Sequence, residues 1–381
     1  MKKVSLLAPG PTPVPPRTLL AMAQPMIHHR SSTFMEMFGR VRAGLKKVFQ
    51  TQNEVLTFCS SGTGAMESAV VNLLSPGDKA IAVRGGNFGE RWTELLTAYG
   101  CVPVNLDVEW GYAVKPEQVE KELKKDPSIK AVFVQALETS TGVDHPIREL
   151  AKITAKSDAV LVVDAISALM AYSIPTDAWG LDVVIGGSQK ALMLPPGLAF
   201  ASLGPKALEL NKKSKCPKYY FSWKKELKKQ TENTGAFTSP VTLFIGLLDV
   251  LAYIEEMGME TLWAETEIKS RAFKAAVKAW GLELYAKESP SPGLTAVQCP
   301  AGVDGQAVVK WLKDKYEMYI VGGQGQAKGK IFRVAHMGYI NEFDTIQGVS
   351  AIEMALSGLG YSFNLGAGVA AAQAVFGKGV K

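Results

Sequence analysis

Ala159-Val160-Leu161-Val162-Val163-Asp164 and Leu181-Asp182-Val183-Val184-Ile185-Gly186-Gly187-Ser188-Gln189-Lys190-Ala191 are the stretches on which the reading of this chain turns. Each is a short apolar run that ends in chemically distinctive residues. Asp164 closes the first. Two glycines end the second and lead into Ser188-Gln189-Lys190-Ala191, and Pro195-Pro196-Gly197 follows soon after. Short apolar runs bounded by turn residues read as buried strands. The same punctuation recurs from residue 55 to 205. Val55–Phe58, Ala80–Val83, Val102–Leu106, Ala131–Gln135, Val160–Val163, Val183–Ile185 and Ala199–Leu203 are predicted strands. Helical patterns lie between several of them; Met66, Ala69, Val70, Leu73 and Leu74 fall on one helix face. Strand–helix alternation predicts an α/β fold, with a mostly parallel seven-stranded sheet between layers of helices.

A second region begins at Pro240. Val241–Glu256 reads as a helix, Gly258 breaks it, and Glu260–Trp280 reads as another. Leu294–Gln298, Tyr319–Val321 and Ile331–Val334 are predicted strands and Gln306–Lys315 a helix. Asn341, followed by Glu342 and Asp344, is a suitable cap for a last helix. This is a smaller α+β domain. The expected organisation is an N-terminal arm (1–15), a large domain (16–257), a small domain (258–360) and a loosely held tail (361–381) rich in Gly and Ala.

With 381 residues, 47% of them hydrophobic, the chain can bury a substantial core. Its net charge of +6 is local, since residues 212–229 hold eight lysines against one glutamate. Tyr219, Tyr220, Phe221 and Trp223 in that stretch would suit nucleic acid, but the balanced charge elsewhere favours a solvated amphipathic segment with inward-packed aromatics. Cys59, Cys101, Cys216 and Cys299 stand far apart in sequence with no CxxC pair, which argues against zinc or a disulfide framework and fits a reducing compartment. The apolar stretch after Met1-Lys2-Lys3 is too short for a signal peptide, no run is long enough to span a membrane, and Gly379-Val380-Lys381 is not a peroxisomal address. The expected location is the cytoplasm, with no metal, membrane or nucleic-acid partner.

Lys190 lies twenty-six residues after Asp164. An aspartate leaving one buried strand and a lysine leaving the next is the arrangement that pyridoxal phosphate enzymes need: the lysine amine forms a Schiff base with the cofactor aldehyde, and the aspartate keeps the pyridine nitrogen protonated. From Pro9-Gly10-Pro11-Thr12 to at least Arg333, the chain resembles the class V (fold-type I) aminotransferases, in particular the serine–pyruvate and alanine–glyoxylate group. On the residues alone each candidate also has an ordinary reading. Lys190 could be a surface charge, Asp164 a loop cap, Ser60-Ser61-Gly62-Thr63-Gly64 a simple strand–helix turn, Phe88 a core residue, Thr139 part of a polar loop and Arg333 a surface strand residue. The resemblance implies more. Ser61, Gly62 and Thr63 hold the cofactor phosphate, as does Gln189. Phe88, flanked by glycine and asparagine in a loop, stacks on the ring. Thr139 gives the cofactor a hydroxyl, and Thr238 reaches the phosphate of the other subunit of a homodimer. Several relatives carry a tyrosine three residues before that threonine, where this chain has Gly235. Arg333 takes the substrate carboxylate, with Gly10 on the substrate side. His28-His29-Arg30 is a weaker candidate for the entrance.

The implied activity is ping-pong transamination between a small amino acid, alanine or serine, and a small 2-oxo acid, glyoxylate or pyruvate. A phosphonate or dicarboxylic substrate would need a second cation, for which Arg30, Arg84 and Arg91 are the nearby candidates. A lyase of the cysteine desulfurase type would need Cys299 as a mobile nucleophile. A non-catalytic binding protein, or a nucleotide-binding α/β protein lacking the Rossmann and Walker spacings, are the remaining readings.

Overall fold

The computed structural model describes residues 4–378. Met1-Lys2-Lys3 and Gly379-Val380-Lys381, on which the targeting expectations partly rest, lie outside the described residues. Seven strands form the central sheet: β1 (Val55–Ser60), β2 (Lys79–Arg84), β3 (Val102–Asp107), β4 (Ala131–Gln135), β5 (Val160–Asp164), β6 (Val183–Gly187) and β7 (Gly197–Leu203). Their order is β1-β7-β6-β5-β4-β2-β3, with β7 alone antiparallel to its neighbours. The mostly parallel seven-stranded sheet expected from the sequence is therefore present. Because β7 is sandwiched antiparallel between β1 and β6, the other six strands all point the same way.

The sheet is buried on both faces. Val160 and Val162 point into one hydrophobic core, Leu161 and Val163 into the other. Strand side chains alternate in direction, so a strand covered on both sides must be apolar at every position. Burying each such side chain is worth about 1.5–3 kcal/mol. The principal helices are α1 (Pro16–Met22), α2 (Ser32–Val48), α3 (Gly62–Leu73), α4 (Asn87–Ala98), α5 (Pro116–Lys125), α6 (Ile147–Thr154), α7 (Trp223–Gln230), α8 (Val241–Met257), α9 (Met259–Ala279), α10 (Gly305–Tyr316), α11 (Glu342–Gly358) and α12 (Ala367–Phe376), besides the short helices Thr176–Trp179 and Pro205–Asn211. Met66, Ala69, Val70 and Leu73 of α3 are buried, as their spacing predicts. No helix among the described residues is long and apolar enough to cross a membrane.

In the C-terminal region β8 (Leu294–Gln298), β9 (Val321–Gly322) and β10 (Ile331–Ala335) form an antiparallel sheet in the order β8-β10-β9. The single strand expected at Tyr319–Val321 is divided. Met318–Tyr319 pairs in parallel with Ser5–Leu6, while Val321–Gly322 joins β10. Pairing with a segment three hundred residues away leaves no local signal. Asn341 caps α11 as expected; its side chain accepts from Asp344 N–H, and Asp344 accepts from Asn341 N–H.

Two further expectations are corrected. The loosely held tail is largely α12, packed against α9 and α11. Its small residues leave a weak periodicity but let the backbone approach closely. The buried Glu353 carboxylate accepts the N–H groups of Gly366 and Gly368 at the start of that helix, and the Trp280 indole N–H. A carboxylate at a helix N-terminus satisfies donors that the helix leaves free. The aromatics of the lysine-rich stretch do not all pack inward. Trp223 is fully buried and Phe221 packs on Phe58, but Tyr219 is 71% exposed. Tyr220 stacks on Phe237, and Lys225 Nζ lies 3.6 Å from the centre of the Tyr219 ring.

Candidate active site

The loops that follow β1, β2, β4, β5 and β6 all leave the same end of the sheet, where ligands of open α/β sheets bind. β5 and β6 are neighbours, with Asp164 level with Ile185, so the ends of these two strands deliver Asp164 and Lys190 into one cavity. Lys190 is held from the other side by the N-terminal arm. Its Nζ donates to Pro9 O at 2.7 Å, while Thr12 Oγ1 donates to Lys190 O at 2.7 Å and Thr12 N–H to Gln189 O. Gly10, at φ +145°, is the residue that makes this possible. A Cβ there would fall 2.6 Å from Lys190 Nζ in a conformation that side chains disfavour.

Burial lowers the Lys190 amine to about 8; the Arg333 and Arg91 charges add to this and Asp164 opposes it. The neutral, nucleophilic form is therefore accessible near physiological pH. Asp164 is only 6% exposed. Burial raises its carboxyl to about 6 in spite of the Ile166 N–H that Oδ1 accepts at 2.9 Å. A buried carboxylate with so little hydrogen bonding is suited to a cationic N–H partner.

Beside them lies an uncharged cradle. Ser61 is the N-cap of α3 and its hydroxyl makes no capping bond, so the first N–H groups of the helix remain open. Gly62 has no room for a side chain, since a Cβ would overlap Ile166. Thr63 follows in the first turn, and Gln189 lines the same cavity with a buried Oε1 that has no hydrogen-bond partner. Phe88 is not in a loop, as its glycine and asparagine neighbours suggest, but in the first turn of α4. The open helix end, the flat aromatic, the partner-poor carboxylate and the low-pKa amine together fit a planar phosphorylated aldehyde with a basic ring nitrogen.

The turn after β4 ties these parts together. Glu138 is fully buried. Its carboxylate accepts from Gly89 N–H at 2.8 Å, Ser140 N–H at 3.0 Å and Ser140 Oγ at 2.6 Å, which fixes the start of α4 and hence Phe88. Burial pushes its carboxyl up. Thr139 Oγ1 donates to Ser167 Oγ at 2.8 Å, and Thr139 O accepts from Arg333 Nη1 at 2.8 Å. Arg333 is 3% exposed, donates Nε and Nη2 to Gly322 O, and is lowered to about 10 by burial.

Of the residues expected from the sequence, Ser61, Gly62, Thr63, Phe88, Thr139, Asp164, Gln189 and Lys190 line this one cavity. Gly10 backs the lysine and Arg333 reaches the cavity wall through Thr139. Thr238 stands apart, exposed in a groove with Met26, His28 and His29. Arg84 pairs with Asp107 and Arg30 contacts His29, which leaves Arg91 as the one second-cation candidate in the cavity. Glu138 and Ser167 were not foreseen. Glu138 directly precedes Thr139, but nothing local signals that its carboxylate reaches a helix fifty residues earlier. The cysteines are less scattered in space than in sequence, since the Cys101 and Cys216 thiols both face Tyr99 O. Cys299 lies outside the cavity, its thiol raised to about 12 by burial.

Residues 5–340 match the family model for class V aminotransferases. The chain is 42% identical over 379 residues to a Synechococcus protein named soluble hydrogenase, small subunit, with 98% of each chain covered. It is 36% identical to the serine–glyoxylate aminotransferase of Methylorubrum extorquens, covering 96% of this chain and 94% of that one. Its fold overlays the ureidoglycine–glyoxylate aminotransferase of Bacillus subtilis with a TM-score of 0.94 at 27% identity over 99% of both chains. The pairing of Lys190 with Asp164 beside an open helix end is thus what a family match over most of the chain leads one to expect: this protein is an enzyme of the pyridoxal-phosphate-dependent class V aminotransferases.

Proposed function

We propose that the enzyme transfers an amino group between a small amino acid, alanine or serine, and a small 2-oxo acid, glyoxylate or pyruvate. The observation that carries this reading is the meeting of a low-pKa amine, Lys190, and a partner-poor carboxylate, Asp164, in one cavity. Pyridoxal phosphate, when bound, supplies an aldehyde and a ring that withdraws electrons. Ser61, Gly62, Thr63 and Gln189 hold its phosphate, Phe88 and Thr139 its ring, and the Asp164 carboxylate its ring N–H. Lys190 Nζ carries the α-proton away from the amino acid Cα. Arg333 orients the α-carboxylate through its N–H groups, its position set by Thr139 O and Gly322 O. The same residues serve the 2-oxo acid in the return half-reaction. The serine–glyoxylate relative supports the choice of substrates.

The working form in this reading is a cytoplasmic homodimer, divided into a large domain (16–257) and a small domain (258–360). Thr238 serves the partner's phosphate, and His28 and His29 lie at that entrance. The exposure of Thr238, away from its own Lys190, supports this assignment. A desulfurase-type lyase would need a reactive small-domain thiol, which the high Cys299 pKa disfavours.

The test is the absorbance spectrum of the purified protein with L-alanine or L-serine alone. A yellow protein that bleaches, and recovers its colour with glyoxylate or pyruvate, supports the reading. A yellow protein that none of these compounds alters refutes the substrates. Lys190→Ala should show no turnover.

A further inference from the structure

Arg91 stands out among the partly buried arginines of the large domain. The other two are paired, Arg42 with Glu54 and Arg84 with Asp107. Arg91 forms no ion pair among the described residues, although it is partly buried in the cavity wall. It sits one helical turn after Phe88 on α4, with its guanidinium carbon 5.0 Å from the centre of the Phe88 ring. Its Nη1 donates to Thr63 Oγ1 at 3.2 Å. That bond carries it to the N-terminus of α3, where Ser61, Gly62, Thr63 and Gln189 form the cradle. None of these four is charged. A phosphate dianion held there by neutral groups alone would be poorly compensated, and a partly buried guanidinium without an anion is equally incomplete. Because the Thr63 oxygen accepts from Arg91, the hydroxyl hydrogen stays free to donate to an anion. The guanidinium fork is the group best shaped for a phosphate. Its charge already reaches the reactive groups: it holds the Asp164 carboxyl down and the Lys190 amine down, in each case less than burial acts on them.

We propose that Arg91 is the counter-cation of the cofactor phosphate, binding it together with Thr63, and is not a site for a second carboxylate of the substrate. The proposal rests on the cofactor reading above. The test compares the binding of pyridoxal phosphate and of pyridoxal, the same aldehyde without the phosphate, to cofactor-free wild type, Arg91→Gln and Arg91→Lys, followed by absorbance titration. Losing one charge-assisted contact should weaken pyridoxal phosphate binding by roughly tenfold to a hundredfold in Arg91→Gln. Pyridoxal binding should stay unchanged, and Arg91→Lys should recover part of the loss. Inorganic phosphate should compete with pyridoxal phosphate on wild type and much less on Arg91→Gln. Equal losses for both aldehydes would mean that Arg91 acts by shaping Phe88, and would overturn the proposal. So would unchanged binding of both, or a defect confined to the KM of a dicarboxylic substrate. Arg91→Lys, which keeps a cation at this position, separates these outcomes from misfolding. Wild type that takes up neither aldehyde would instead refute the cofactor role of Lys190.

Discussion

Replacing Asp164 with Asn should make the cofactor-free protein more stable at pH 8 while abolishing its activity. The carboxyl is raised by burial from an ordinary 3.8 to about 6. That shift of about two units corresponds to about 3 kcal/mol, at about 1.4 kcal/mol per unit. The sign follows from proton binding. Between pH 4 and 6 the folded protein holds a proton that the unfolded chain has released, so stability falls as pH rises through this window and levels off above it. At pH 8 wild type therefore carries the full penalty, and by pH 5 it regains roughly half of it. Asn keeps the acceptor for Ile166 N–H but leaves an amide N–H unpaired, at a cost of about 1 kcal/mol. The net expectation is about 2 kcal/mol in favour of Asp164→Asn at pH 8, shrinking towards zero at pH 5. Urea denaturation of the two cofactor-free proteins at both pH values measures this directly. With pyridoxal phosphate bound the order should reverse, because the wild-type carboxylate then gains a cationic partner. A variant less stable than wild type at pH 8, or a difference that does not change with pH, would refute the reasoning.

Cofactor-free protein should take up pyridoxal phosphate at a rate that climbs with pH, is half-maximal near 8 and is flat by pH 10, as the Lys190 amine loses its proton; a stopped-flow rate still climbing at pH 10 would place that amine at an ordinary value. Glu138→Ala should cost about 3 kcal/mol or more in urea denaturation, since the buried N–H groups of Gly89 and Ser140 lose their acceptor. An unaltered midpoint would show that the turn after β4 does not depend on that carboxylate. Gly10→Ala should reduce cofactor uptake, because φ +145° is a conformation that side chains disfavour and a Cβ there would press on the end of the Lys190 side chain. Normal uptake would mean that the arm moves freely.

The sheet was legible because its strands bury both faces. Val160–Val163 must be apolar throughout, since alternate residues enter different cores. The lysine and aspartate were legible for a related reason: a charge at the end of such a run is conspicuous. The residues flanking Phe88 favour a turn, yet the start of α4 is held by Glu138, whose carboxylate comes from the turn after β4. Glycine and alanine give the tail little periodicity, although they are what lets α12 settle against Trp280 and Glu353.

By itself the sequence determined the elements, their α/β order and the chemical identity of the groups at the strand ends, because these depend on local periodicity and on residue type. Which groups meet depended on the fold. The arm that puts Pro9 O on Lys190 Nζ, the Arg91 contact with Thr63 and the Arg333 contact with Thr139 span 181, 28 and 194 residues. The depressed amine and the raised carboxyl are likewise properties of burial, which exists only once those distant segments have closed over the end of the sheet.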